Sequence, residues 1–343
     1  MKKIIVCLCV GAGAACLLAL RKLVSISAVD ASAEIIYVVA KSKELVPPGK
    51  PKLPEKAALV ALIPPGKPAA GSFRVADFVS RLSATIYGRL LYYGPRMPST
   101  QTFLSQNAHS LPIGTVCISD VQYQGKGRAG NSWVSPDGCL MFSFTLQMEN
   151  GRTVPFVQYV VCLAVVQGIE AAARAKNATI PDVRIKWPND LYSGNLKIGG
   201  VLCSSTYSSK TFYIVAGVGL NVDNDEPTTC LNSVLARLDS KATPFAREEL
   251  LATILESFEK LFTTFTTQGF SALELMYYEK WMHSGQKVIL EDDRVSVVIE
   301  GLTPAGFLLA SDDAFNKYEL HPDGNSLDFF KGLVRRKLPG SAQ

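Results

Sequence analysis

Residues 153–176 are nearly all apolar, over a length that is typical of a long helix. A helix on a protein surface needs a polar face, and this segment has too few polar residues to supply one. It must therefore be covered by other elements. A chain of 343 residues, 48% of them hydrophobic, is long enough to provide that cover and to form more than one domain.

Segments rich in Val, Ile and aromatic residues flank this helix and predict strands. They are residues 114–122, 139–147, 183–187, 197–206 and 211–222. Two further helices are predicted at 75–93 and 247–265, the second with an apolar face. Long helices that alternate with strands predict an α+β, or mixed α/β, catalytic domain over residues 73–282.

The pattern changes to short strands after Trp281. Residues 287–290, 295–299, 306–309 and 317–320 are separated by turns that contain Asp, Gly and Pro. This spacing is typical of a small β-barrel. We therefore predict that residues 283–343 form a separate all-β module.

The first 72 residues are predicted to lie outside the catalytic domain. Residues 1–29 begin with Met1-Lys2-Lys3 and continue as an apolar run, which suits a signal peptide, a membrane anchor, an organelle transit peptide or a non-native extension. Residues 30–72 contain two Pro-Pro-Gly-Lys-Pro segments, and their prolines predict an extended linker. Membrane contact is expected only if residues 1–29 are retained.

Charge and cysteine usage narrow the choice of partners and compartment. The net charge is +5, but no run of five like charges occurs, so we expect no nucleic-acid binding and a modest preference for anionic small molecules. The eight cysteines show no Cys-x-x-Cys pair and no zinc spacing. A reducing compartment, the cytoplasm, is expected. The N-terminal segment leaves a plastid, mitochondrial or membrane-anchored form open.

A glycine-rich loop follows the predicted strand 114–122. Gly125, Gly127 and Gly130 fit the Gly-x-Gly-x-x-Gly pattern of dinucleotide-binding folds. That fold needs a helix directly after the loop, whereas a turn and the strand 139–147 follow here. Lys126 and Arg128 stand between the glycines and can approach a phosphate, as in an adenylate site. A solvated basic hairpin is the alternative interpretation.

Two further segments carry polar groups suited to a nucleotide. Asn189 and Asp190 follow Pro188 in a predicted turn, and their oxygens suit Mg²⁺, while Lys186 can neutralise triphosphate charge. Residues 217–221 give a second close backbone approach that ends in Asn221. Each segment alone is also an ordinary turn or strand sequence.

From about Arg96 to its C-terminus the chain resembles the biotin protein ligases, and more narrowly the holocarboxylase synthetases of plants. The Ser-Thr-Asn biotin motif of that family corresponds to residues 99–101, with glutamine in the third place. Its Gly-Arg-Gly-Arg core corresponds to residues 125–128, with lysine for the first arginine. The Lys-Trp-Pro-Asn-Asp segment at 186–190, the Gly-x-Gly-x-Asn segment at 217–221 and the ending at 321–332 also match.

The resemblance implies a class II synthetase-like catalytic domain with a C-terminal SH3-like β-barrel that caps the active site. It implies that biotin is activated with MgATP to biotinyl-5′-AMP and passed to a lysine of the biotin carboxyl-carrier domains of carboxylases, by a monomer or a homodimer. A lipoate-type acyl ligase and a non-catalytic biotin-binding module are the alternatives. The implied biotin contacts are Ser99, Thr100, Gln101, Gln122, Lys126, Gly127, Arg128 and Lys197. The implied ATP contacts are Gly125, Trp133, Lys186, Asn189 and Asn221, with Asn189 and Asn221 also as metal ligands.

The implied chemistry needs no nucleophilic side chain. Biotin's carboxylate is already ionised near neutral pH, so its attack on the α-phosphorus needs charge neutralisation and positioning. Arg128, Lys186 and Lys197 are the expected catalytic cations. In the transfer step the attacking lysine amine must lose a proton, and Asp190 is the expected acceptor.

Overall fold

The structure is a computed structural model. It describes residues 34–41, 45, 47, 49, 51–55, 57–61, 73–224, 226–290, 294–322, 325–328 and 333–336. The predicted targeting segment 1–29 and much of the predicted linker lie outside these residues.

A nine-stranded mixed sheet forms the centre of the described chain. Its strands are β1 (Glu34–Ala40), β2 (Ala57–Ala61), β3 (Leu90–Met97), β4 (Val116–Gln122), β5 (Cys139–Met148), β6 (Arg184–Lys186), β7 (Asp190–Ser193), β8 (Leu196–Ser208) and β9 (Thr211–Asn221). Their spatial order is β2-β1-β3-β4-β5-β9-β8-β7-β6. The pairs β1–β2 and β3–β4 are parallel and the other neighbours are antiparallel, which confirms the mixed α+β class.

The helices of the described chain pack against this sheet. They are α1 (Val75–Arg81), α2 (Thr100–Ser105), α3 (Val157–Ala175), α4 (Leu231–Leu238), α5 (Arg247–Gln268) and α6 (Glu274–Lys280). The apolar segment predicted at 153–176 is α3, preceded by a short 3₁₀ turn. It is long and apolar enough to cross a membrane, yet most of it is buried in the protein core. Its Gly168 allows close contact with Ile254 of α5, where a Cβ would lie 2.7 Å from the Ile254 Cα.

The helix predicted at 75–93 is wrong beyond Arg81. Glutamates of α5 bind the backbone that follows: Glu256 accepts from the Ser83 N–H at 2.8 Å, and Glu259 accepts from three successive N–H groups at residues 85–87. Residues 90–97 are strand β3, buried between β1 and β4. A distant helix therefore ends α1, and the sheet overrides the local helical pattern.

The predicted linker at 30–72 missed two strands. Residues 36–40 of β1 are buried, and β1 pairs antiparallel with β3, placing Tyr37 opposite Tyr93. The sequence of β1, EIIYVVA, is rich in β-branched residues and is typical of a strand. The prolines that follow it predict an extended linker, and the predicted linker was drawn to include β1. The compact part of the chain therefore includes residues well before Phe73.

A six-stranded sheet follows the large one. It contains β10 (Lys287–Leu290), β11 (Val295–Leu302), β12 (Leu308–Ser311), β13 (Lys317–Leu320), β14 (Asn325–Asp328) and β15 (Leu333–Arg336). The all-β prediction is confirmed, and this sheet is consistent with an SH3-like domain. However, Val288, Ile299 and Leu308 belong to the same hydrophobic core as α3 and the large sheet. The expected module is thus packed into the catalytic core instead of standing apart from it.

Candidate active site

A cavity of about 660 Å³ lies beside the central strands of the large sheet, and it has the size of a small-molecule site. Loops and strands that are far apart in the chain line it together. The predicted site residues that line it are Ser99, Thr100, Gln101, Gln122, Lys126, Gly127, Arg128, Trp133, Lys186, Asn189, Asp190 and Lys197. Gly125 and Asn221 are not among its lining residues. Pro322, which follows β13, also lines the cavity, so the small sheet reaches the site as predicted.

The charged residues that line the cavity are mostly cations. Among the described residues, Lys126, Arg128, Lys186 and Lys197 line it together with one carboxylate, that of Asp190. Cations gathered in a concave, partly desolvated space attract an anionic ligand. The cavity therefore suits a carboxylate or phosphate group.

The glycine loop is a hairpin between β4 and β5. The Trp133 N–H donates to the Gly125 carbonyl at 2.9 Å, and the Gly127 N–H donates to the Asn131 carbonyl at 2.7 Å. The only helical part of this loop is a 3₁₀ turn over Arg128–Gly130, where Ala129 has a φ of 53°. Strand β5 follows, as predicted, so the loop lacks the helix that a dinucleotide-binding fold requires.

Arg128 links this hairpin to the turn between β6 and β7. Its Nη1 donates to the Asn189 Oδ1 at 3.0 Å, across 61 residues of chain. Asn189 is itself fixed, because its Nδ2 donates to the Val201 carbonyl. The guanidinium therefore joins two walls of the cavity.

Lys197 projects from the start of β8. Its Nζ lies 2.7 Å from the Asp190 Oδ1 and 5.5 Å from the centre of the Trp133 ring. The Thr228 hydroxyl donates to the Lys197 carbonyl and holds the backbone. The ammonium is about one third exposed, so it stays available to a ligand that enters the cavity.

Two glycines make room for the Trp133 indole. A Cβ on Gly219 would lie 2.5 Å from the Trp133 Cε2, and one on Gly200 would lie 3.5 Å from the Cζ3. The Trp133 Nε1 also donates to the Met141 sulfur at 3.2 Å. The Gly-x-Gly-x-Asn segment of β9 therefore supports the indole and contributes no side chain of its own at this point.

Replacing Gly219 by alanine is expected to displace Trp133, because the methyl group would overlap the ring. Overpacking of this kind costs about 1–3 kcal/mol. If Trp133 contacts ATP, the dissociation constant for ATP should rise while that for biotin changes little, as measured by calorimetry. Gly94→Ala, on β3 of the same sheet, is the control, since a Cβ there would lie 3.5 Å or more from its neighbours and does not meet the indole. Equal ATP affinity in the wild-type and Gly219→Ala proteins would contradict this role for the ring.

A hydrogen-bonded polar network also lines the cavity. Gln122 Oε1 accepts from the Thr100 N–H at 2.7 Å, and the Thr100 hydroxyl lies 2.9 Å from the Ser143 hydroxyl. Ser143 also donates to Gln101 Oε1 at 3.1 Å. Ser99 caps α2 by accepting from the Thr102 N–H. The network offers fixed donors and acceptors to a neutral polar ring such as a urea.

Ser143 is a site residue that the sequence analysis missed. It lies on β5 among apolar residues and is 1% exposed, so the strand pattern masks it. A small hydroxyl between two phenylalanines of a buried strand was the available signal. Its role depends on α2, which places Thr100 and Gln101 against it.

Gln101, which replaces the family's asparagine, is accommodated by a glycine. A Cβ on Gly217 would lie 2.5 Å from the Gln101 Oε1. The Gln101 Nε2 donates to the Val215 carbonyl and to the Ser204 hydroxyl, each at 2.9 Å. The longer amide is thus held in a defined position at the cavity wall.

The two predicted metal ligands are already hydrogen-bonded. Asn189 Oδ1 accepts from Arg128, and Asn221 Oδ1 accepts from the Cys139 thiol at 3.4 Å, while Asn221 is not among the cavity's lining residues. No group of three or more His, Cys, Asp or Glu side chains suited to a metal occurs in the described part of the chain. Mg²⁺ needs only one or two protein carboxylates when substrate phosphates and water complete its shell. Asp190 fits that need better than Asn221.

Lys186 ends β6 at the edge of the cavity, with its Nζ 5.6 Å from the centre of the Tyr192 ring. It lies on the same turn as Asn189 and Asp190. Lys186, predicted to neutralise the triphosphate, therefore lies on the same turn as Asp190, whose carboxylate oxygens suit Mg²⁺. The structure brings together the three motifs that are separate in the sequence.

Comparisons with known proteins agree with this geometry. Residues 93–221 match the model of the biotin/lipoate A/B protein ligase family. The chain is 52% identical over 273 residues to biotin–protein ligase 1, chloroplastic, of Arabidopsis thaliana, covering 78% of this chain and 74% of the relative. It is 34% identical over 279 residues to human biotin–protein ligase, covering 77% of this chain and 38% of the relative.

Solved structures show the same fold. The biotin protein ligase from Aquifex aeolicus in complex with biotin and ATP superimposes with a TM-score of 0.52 at 23% identity, covering 72% of this chain and 99% of that one. The sequence identity to the plant relative, the matched family model and the cavity agree. This chain belongs to the biotin protein ligases, within the biotin/lipoate A/B protein ligase family.

Proposed function

We propose that this protein activates biotin with MgATP to biotinyl-5′-AMP and then transfers biotin to a lysine of a carboxylase carrier domain. The observation that carries the proposal is a single cavity lined by a polar network, by the Trp133 indole and by four cations. The network suits biotin's ureido ring, the indole suits adenine, and the cations suit the carboxylate and phosphates between them.

In the first step a carboxylate oxygen of biotin attacks the α-phosphorus of ATP, and the bond to the β-phosphate breaks to release pyrophosphate. Lys197 draws biotin's carboxylate towards the α-phosphate, and Lys186 neutralises the leaving phosphates. Arg128, which joins the glycine hairpin to Asn189, holds the cavity walls around the adenylate that forms. This step transfers no proton, so its rate depends on how well the side chains neutralise charge and place the two reactants. Mg²⁺ would supply further neutralisation of the phosphates, and the Asp190 carboxylate would hold it.

In the second step the carrier lysine amine attacks the acyl carbon of the adenylate, and AMP leaves. The amine loses one proton as the amide forms. We assign its acceptance to the Asp190 carboxylate, which faces the cavity and is held by Lys197 at 2.7 Å. Asn221 is assigned an indirect role. Its Nδ2 donates to the Thr229 carbonyl, and the neighbouring Thr228 hydroxyl donates to the Lys197 carbonyl, so Asn221 helps to position Lys197.

The proposed function indicates the partners, and the free cysteines and the plant relative indicate the compartment. We propose carboxylase carrier domains as acceptors, with the enzyme acting as a monomer or a homodimer. The described cysteines are free, among them the buried Cys117 and Cys162, which suits a reducing compartment. The cytoplasm is proposed, with the plastid as the alternative favoured by the relative named chloroplastic.

Pyrophosphate exchange is the test that separates the proposed function from its alternatives. The purified protein with Mg²⁺ and ATP is expected to exchange labelled pyrophosphate into ATP when biotin is added and not when lipoate is added. Exchange with lipoate alone would identify a lipoate ligase. Biotin binding by calorimetry without exchange would identify a non-catalytic binding module.

A further inference from the structure

A buried imidazole outside the predicted site touches the active-site turn. His283 lies between α6 and β10 and is 0% exposed. Its Nε2 accepts a hydrogen bond from the Trp187 N–H at 2.9 Å. Trp187 connects Lys186 to Pro188, at the start of the turn that carries Asn189 and Asp190.

The hydrogen bonds define the protonation of this imidazole. A backbone N–H can only donate, so Nε2 is an acceptor, and the neutral ring carries its proton on Nδ1. Nδ1 lies 3.0 Å from the Gln286 Oε1, which accepts a hydrogen bond from the Nδ1–H. Burial, aided by the nearby Lys186 charge, lowers the pKa of His283 to about 4, so the ring stays neutral near neutral pH.

Trp187 is held from a second side as well. Its indole Nε1 donates to the Tyr159 hydroxyl at 2.8 Å, and that hydroxyl donates to the Gly306 carbonyl of the small sheet. The Met282 N–H donates to the Ile185 carbonyl at 3.0 Å. The hydrogen bonds that link the small sheet and its preceding segment to the large sheet therefore meet at β6 and Trp187, directly before the active-site turn.

We propose that His283 is a positioning residue for the ATP side of the active site. Because Pro188 lacks an N–H, the Trp187 N–H is the last backbone donor before the turn, and His283 fixes it. The position of Trp187 in turn sets Lys186 on one side and Asn189 and Asp190 on the other. This inference rests on the proposed function, which assigns these residues to ATP and its metal.

Three variants test the acceptor specifically. His283→Phe keeps a buried ring but removes the acceptor, and His283→Gln places an amide oxygen that can replace Nε2. Gln286→Leu leaves the imidazole but removes the partner of Nδ1. Ser284→Ala is the matched control, since it removes a hydrogen bond from Trp281 in the same segment and leaves both nitrogens of His283 with their partners.

Pyrophosphate exchange is measured with each variant while ATP and biotin are varied in turn. His283→Phe is expected to raise the KM for ATP by at least about tenfold, since small misplacements of binding groups carry large costs. The KM for biotin should stay near the wild-type value, and His283→Gln should restore most of the loss. Equal changes in both KM values, or no rescue by glutamine, would reduce His283 to a role in stability and overturn the proposal.

Hydrogen–deuterium exchange of a peptide covering residues 184–192 gives a readout that needs no activity. Faster exchange of this peptide in His283→Phe than in Ser284→Ala would support the role of His283 in holding the Trp187 backbone. If the phenylalanine variant does not fold, Gln286→Leu decides, through a selective rise in the KM for ATP and faster exchange of this peptide. Wild-type rates for both would overturn the proposal. Failure of the wild-type protein to exchange pyrophosphate would instead refute the proposed function and leave the peptide measurement valid.

Discussion

Replacing Arg128 by glycine is expected to turn the protein into one that releases biotinyl-5′-AMP. The mixed anhydride is reactive and must be shielded from water until a carrier lysine arrives. Arg128 joins the glycine hairpin to Asn189 at 3.0 Å, and so holds two walls of the cavity together. Without the guanidinium the hairpin loses this contact, while Lys197 and Lys186 remain in place. Adenylate formation should continue and its retention should fail.

The measurement is biotin labelling of an unrelated protein, such as serum albumin, in the presence of ATP and biotin. We expect at least about a tenfold increase over the wild-type enzyme, in line with the loss of a hydrogen bond to a charged group. Arg128→Lys keeps the charge without the planar fork and should fall between the two. If Arg128→Gly abolishes pyrophosphate exchange and albumin labelling does not rise, Arg128 acts in formation of the adenylate and its assigned role in retention is wrong.

Replacing Lys197 by alanine is expected to produce the largest loss of biotin affinity. Its ammonium is the cation proposed to meet biotin's carboxylate, and hydrogen bonds to charged groups are worth about 1.5–3 kcal/mol. The biotin dissociation constant should therefore rise about ten- to a hundredfold in calorimetry. The change also leaves Asp190 without its ion-pair partner at 2.7 Å, and its like charge would further oppose the incoming carboxylate.

Lys186→Ala is the matched comparison for this experiment. Both substitutions remove one lysine from the same cavity, yet Lys186 lies on the turn assigned to ATP. Lys186→Ala should weaken ATP binding and leave the biotin dissociation constant near its wild-type value. Unchanged biotin affinity in Lys197→Ala would remove Lys197 from the biotin site, and equal effects of the two variants on both ligands would show only a general loss of positive charge.

Predictions from the sequence succeeded where the signal was local. The buried helix α3 and the strands β5, β8 and β9 follow from apolar runs and β-branched residues, and their predicted bounds agree with the structure to within a few residues. Local patterns failed at β3, whose residues 90–93 were predicted to end a helix but lie between β1 and β4. They also failed at β1, whose pairing with β3 depends on residues fifty or more positions away.

The sequence by itself determined the chemistry of the site, because the residue types in three short motifs supply cations, an amide and a carboxylate without a nucleophile. The tertiary structure decided which of these groups meet. It placed Gly219 beneath Trp133, Ser143 between Thr100 and Gln101, and His283 against Trp187. Such contacts join residues far apart in the chain, and their distances depend on strand register and helix packing, which no local pattern encodes.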